Sequence, residues 1–108
     1  MLVQLTTRLS LGGVSPLSEF TRPVSMAGAN AVQYSVMPFY TSAGNGWFQL
    51  QESFDLENWS NLGSAQGMSQ LFKLFPVQAG IESSFVRLKA YIGYGTVVLA
   101  INLNTFHQ

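Results

Sequence analysis

Acidic side chains gather at one place in this 108-residue chain, where Glu52, Asp55 and Glu57 stand close to Asn58 and Asn61. A calcium ion would draw on Asp55, Glu57 and Asn58, because it needs roughly six to eight oxygen ligands converging from one loop. Strand alternation scatters such side chains, however, and turn hydrogen bonding accounts for Asp55 and Asn58 without an ion. No metal is expected. A glycosidase pair would need two carboxylates about 5 to 10 Å apart across a cleft, for which a domain this small has little room. His107 is the one histidine and stands next to the last residue. A catalytic base needs packed surroundings, which a chain end rarely supplies. Gly63-Ser64-Ala65-Gln66-Gly67 misplaces its serine for a nucleophile elbow. The absence of cysteine excludes disulfides, thiolate metal sites and thiol nucleophiles. No coherent set of acid, base and nucleophile emerges, so neither an enzyme nor a cofactor is expected.

Aromatic residues are the richer source of candidates. Trp47, Trp59 and Tyr94, with Phe39 and Tyr40, could offer flat rings to a sugar, and they could equally pack in a core or a subunit contact. Phe85, Arg87, Lys89 and Tyr91 share one strand parity and mix aromatic with basic character, as protein interfaces do. The other basic residues, Arg8, Arg22 and Lys73, are spread along the chain. A phosphate backbone needs several cations on one face, so nucleic acid is not an expected partner.

These residues sit in an unusual composition: 47% hydrophobic, 13% aromatic, 9% charged and no net charge. An ordinary soluble domain carries roughly 25% charged residues. The apolar content excludes intrinsic disorder. The aliphatic run Val97-Val98-Leu99-Ala100-Ile101 falls far short of the ~20 residues that cross a bilayer as a helix, so no transmembrane segment is expected. No conventional signal peptide is visible at Met1–Arg8, and the compartment is not written in the sequence.

The elements that must position these residues repeat with a period of two. Val97, Leu99, Ile101 and Leu103 alternate with Val98, Ala100, Asn102 and Asn104, and Val86, Leu88, Ala90 and Ile92 alternate with Phe85, Arg87, Lys89 and Tyr91. Gly93-Tyr94-Gly95 between these runs predicts a β-hairpin. Val3, Leu5, Leu9 and Leu11 share a parity up to Gly12-Gly13 and Pro16, and Val32, Tyr34 and Val36 share another. Ala43-Gly44-Asn45-Gly46 then supplies a turn before Phe48 and Leu50. Met68 to Phe75 reads as a further strand, and Ser15 to Phe20 could form one helical turn. The expectation is an all-β fold: one domain over residues 1–108, a single antiparallel β-sandwich or jelly roll of about seven or eight strands.

Leu50-Gln51-Glu52-Ser53-Phe54-Asp55-Leu56-Glu57-Asn58-Trp59, followed by Leu62-Gly63, resembles a strand-to-turn passage of discoidin-like, or galactose-binding-like, β-sandwiches. Ser84-Phe85-Val86-Arg87-Leu88 is similar to a late strand of the same family. The resemblance implies a sandwich in which Ser53, Asp55 and Asn58 close a tight turn and Trp59 covers the end of the core. Phe54 stands where a small or polar residue is usual in that family, and Leu56 where glycine is common. That departure suggests a turn whose tip is buried against something.

The sequence therefore suggests a structural protein that associates with itself into a larger homo-oligomeric assembly, such as a shell, tube, filament or virion component, in which Met37, Phe39, Phe85, Arg87 and Tyr91 form interfaces. Apolar residues on the second faces of strands, such as Val98 and Ala100, and the shortage of charge would suit a surface covered by neighbours. The alternative is a module that binds a carbohydrate or another surface ligand using Trp47, Trp59 and Tyr94 as loop aromatics.

Overall fold

A computed structural model describes residues 2–11, 17–41, 46–68 and 71–108. The chain forms β1 (Leu2–Leu11), β2 (Leu17–Phe20), β3 (Val24–Ser25), β4 (Ala31–Thr41), β5 (Trp47–Ser53), β6 (Ser60–Asn61), β7 (Gln66–Gly67), β8 (Lys73–Leu74), β9 (Phe85–Ile92) and β10 (Val97–Phe106), with no helix among the described residues. One sheet has the order β1-β10-β4-β8 and the other β2-β9-β5-β6, with β3 adding to β9 and β7 to β5. Every pairing is antiparallel.

The pairings nest. β1 lies against β10, β2 and β3 against β9, β4 against β8, and β5 against β6 and β7. A long antiparallel ribbon folded over in this way gives jelly-roll winding. Counting β3 with β2 and β7 with β6 leaves four strand places in each sheet, in agreement with the all-β expectation. The additional elements, β3 and β7, are two-residue strands inside connections.

Strand alternation builds the core. In β9 and β10 buried and half-buried residues alternate without interruption. Val86, Leu88, Ala90 and Ile92 from one sheet meet Val97, Leu99, Ile101 and Leu103 from the other, joined by Val32, Val36 and Leu50. Tyr34 stacks on Phe75 at 4.5 Å, and Phe48 meets both edge-on at 6.3 and 5.7 Å. Phe75 is held beside β4 by its N–H to the Tyr34 carbonyl, 3.0 Å, and by Gln33 Nε2 donating to its own carbonyl, 2.9 Å.

Three local expectations give way. Residues 85–92 and 97–106 form no hairpin, because β9 is central in one sheet and β10 in the other. Gly93–Gly95 carries the chain between layers, and each strand takes neighbours distant in sequence. Leu17–Phe20 is extended, paired with Lys89–Ile92, so the nonlocal ladder overrides any local helical tendency. In the stretch from Met68 to Phe75, Lys73–Leu74 is the part that forms a strand among the described residues. The turns expected at Gly12–Gly13 and Ala43–Asn45 lie outside the described residues.

Register in the four-stranded sheet shifts between Val98↔Tyr40 and Leu99↔Pro38, which leaves Phe39 as the extra residue of a bulge. Pro38, lacking an N–H, is tolerated next to this irregularity.

Phe48 is 1% exposed at the centre of the aromatic cluster. Replacing it with alanine is expected to lower stability by about 3–5 kcal/mol. The measurement is a denaturant midpoint that falls while the slope stays constant.

Candidate functional site

The even-numbered residues of β9 are buried, so Phe85, Arg87, Lys89 and Tyr91 point outward from the six-stranded sheet. Register places Tyr91 opposite Trp47, Lys89 opposite Gln49, Arg87 opposite Gln51 and Phe85 opposite Ser53. From the other flank, β2 sets Phe20 beside Lys89. Rings and cations then interleave. Trp47 stacks on Tyr91 at 4.8 Å and 18°. Lys89 Nζ lies 5.5 Å from the Trp47 ring centre and 5.7 Å from that of Phe20. The Arg87 guanidinium carbon lies 4.0 Å from the Phe20 centre and 4.1 Å from that of Trp59. The result is a continuous strip: Trp59, Arg87, Phe20, Lys89, Trp47, Tyr91.

Hydrogen bonds fix the centre of the strip. Arg87 Nε donates to Gln51 Oε1 at 2.8 Å, and Gln51 Nε2 donates to Asn61 Oδ1 at 3.1 Å. Among the described residues, Arg87 and Lys89 contact these rings and Gln51, and no carboxylate neutralises either. Desolvation pulls the Arg87 pKa below its ordinary value.

The turn after β5 positions Trp59. Ser53 Oγ accepts from the N–H groups of Asp55 and Leu56, at 3.2 and 3.0 Å, and donates to Asp55 Oδ1 at 3.0 Å. Asp55 Oδ1 accepts from the N–H groups of Asn58 and Glu57, at 2.8 and 2.9 Å, and Oδ2 accepts from Asn58 Nδ2 at 2.7 Å. Trp59 Nε1 donates to the Leu56 carbonyl at 3.2 Å. The backbone bonds from Asn58 and Glu57, assisted by the Asn58 and Ser53 side chains, hold the Asp55 carboxyl well below the usual carboxylate range. Leu56 adopts φ 67°, the left-handed conformation that glycine takes more readily. Phe54 and Leu56 remain 66% and 47% exposed.

The structure regroups the residues singled out in the sequence. Arg87 and Tyr91, expected at an interface, join Trp47 and Trp59, expected at a sugar site, in one strip, and Phe85 faces the same side by parity. Met37 and Phe39 belong to the other sheet, where Met37 pairs with Ala100. The expected interface set is therefore divided between two sheets. Trp47 opens β5, so it is a strand residue, whereas Trp59 closes the β5–β6 connection directly before β6. Tyr94, 58% exposed, belongs to the connection that leaves this sheet. Trp59 covers Arg87 on the outer face rather than the end of the core. Phe20 and Gln51 were not anticipated, since their roles follow from register with β9.

Asp55 directs its oxygens into its own turn, and among the described residues no three histidine, cysteine or acidic side chains converge on a metal position. A hollow of about 440 Å³ lies elsewhere, lined by Ser25–Asn30 and Ile81–Ser84. Ser83 Oγ is buried there without a hydrogen-bond partner among the described residues. The chain end is tied down: Gln108 N donates to Asn30 Oδ1 at 2.7 Å, and Asn30 Nδ2 donates to the Gln108 carbonyl at 3.2 Å. His107 is nonetheless exposed. The chain matches no family model, no curated protein and no solved structure.

Because the native pKa of Asp55 is depressed, its contribution to the turn is complete above an ordinary aspartate pKa of about 3.9. It is lost as pH falls through the lower native value. The Asp55 carboxyl carbon, followed by NMR, should titrate well below that ordinary value. Asp55→Ala should speed amide exchange at Glu57 and Asn58 and shift Trp59 fluorescence.

Proposed function

We propose that this protein is a non-enzymatic structural β-sandwich that associates with copies of itself into a larger homo-oligomer. The observation that carries the reading is the outer strip of the six-stranded sheet. Trp, Tyr, Phe and Arg are the side chains enriched at protein contact centres, and mutual stacking holds them in one arrangement before any partner arrives. A sugar platform needs open ring faces. Here Trp47 already has a face on Tyr91, and Phe20 and Trp59 each have one against Arg87.

The rest of the surface supports the same reading. Leu2, Phe39, Leu71 and Leu74 are 71%, 59%, 76% and 59% exposed, in a chain with five basic and five acidic residues. Register sets Met37, Ala100 and Asn102 with Ser35 and Gln4 on the outer face of the four-stranded sheet, which supplies an uncharged surface distinct from the strip. A protein with two contact surfaces is able to grow beyond a dimer. Jelly rolls serve shells and lectins alike, so the fold itself does not choose the role.

Light scattering coupled to size exclusion tests the reading. Wild-type protein should exceed the 11.8 kDa of one chain, and Tyr91→Asp should shift it toward monomer while its circular dichroism stays that of a folded β-sandwich. Monodisperse wild-type monomer at high concentration would overturn the proposal.

A further inference from the structure

We infer that the Ser53–Asn58 turn of one copy docks on the aromatic and cationic strip of a second copy, with Glu57 opposite Arg87 and Lys89 and with Phe54 and Leu56 against the rings. This rests on the self-association reading above and names its contact.

Charge complementarity selects the occupant. Arg87 and Lys89 lie on the outer face of the sheet with no carboxylate against them among the described residues, and the guanidinium is already partly desolvated. A chain without net charge must hold the balancing acids elsewhere. Asp55 spends its carboxylate inside the turn, whereas Glu57 is exposed and engages through its backbone N–H alone among the described contacts. The same tip exposes Phe54 and Leu56. An acidic, apolar projection thus accompanies a basic, aromatic surface in one molecule, and each supplies what the other lacks.

Adjacency determines the symmetry. Trp59 belongs to both parts: its ring covers Arg87, and its Nε1 bonds the Leu56 carbonyl at the tip. Tip and strip therefore form one continuous patch. When two copies meet about a two-fold axis through that patch, each tip reaches the partner's strip, which is the isologous arrangement of most closed dimers. The preformed turn and stacked rings limit the ordering that association would require.

A charge exchange tests the pairing. Arg87→Glu and Glu57→Arg, each alone, should weaken association by about tenfold or more, judged by sedimentation equilibrium. An equimolar mixture of the two variants should associate nearly as well as wild type, because each contact then pairs opposite charges. Glu57 is exposed, so Glu57→Gln provides a milder variant that keeps the fold and should weaken association less than Glu57→Arg. Failure of wild type to associate would overturn the self-association reading itself. Association of wild type that neither single variant weakens, or a mixture that does not recover, would overturn this docking alone.

Discussion

Successive side chains of a strand point to opposite sides, and in β9 that constraint makes the core and the outer strip from a single stretch of eight residues. Val86, Leu88 and Ala90 are 0% exposed and Ile92 is 1% exposed, all in the layer between the sheets. Phe85, Arg87, Lys89 and Tyr91 have no choice but the other side. A one-residue slip against β5 would bury Arg87 and Lys89 in the apolar layer and expose the aliphatic residues. The cost of burying those two charges fixes the register as firmly as the gain from the aliphatic residues does.

Magnitudes separate the two faces. Fully burying a leucine, isoleucine or valine side chain contributes about 1.5–3 kcal/mol. Cation–π contacts at exposed sites contribute about 0.5–1 kcal/mol each. The fold is therefore held chiefly by its inner layer, and the strip is a modest stabiliser whose arrangement is set by the strands beneath it. Such a surface is free to be specialised for a partner. The Asp55 turn has the same character: it arranges a short loop through hydrogen bonds and leaves Phe54 and Leu56 facing outward.

Some of this was legible in the residues. The period-two runs identify the buried set of β9 and β10, and Ser53, Asp55 and Asn58 announce their turn by side-chain chemistry. The positive φ of Leu56 is not announced, because leucine has no preference for that conformation. The glycines at 93 and 95 mislead, because a short connection between alternating runs reads the same whether the chain turns back within a sheet or crosses to the facing one. Phe20 carries no local signal of its role, since the ring reaches Arg87 through the β2–β9 register.

The sequence by itself determined which residues share a side of each strand, and which short turn closes after β5. Both are properties of a few consecutive residues, governed by the pleat and by hydrogen bonds within reach of one loop. Tertiary structure decided which strands became neighbours, and hence that Phe20, Trp47 and Trp59 would meet Arg87 and Lys89. Pairing is nonlocal: each strand accepts several partners on local grounds, and the nested winding that closes one apolar core between two sheets selects among them.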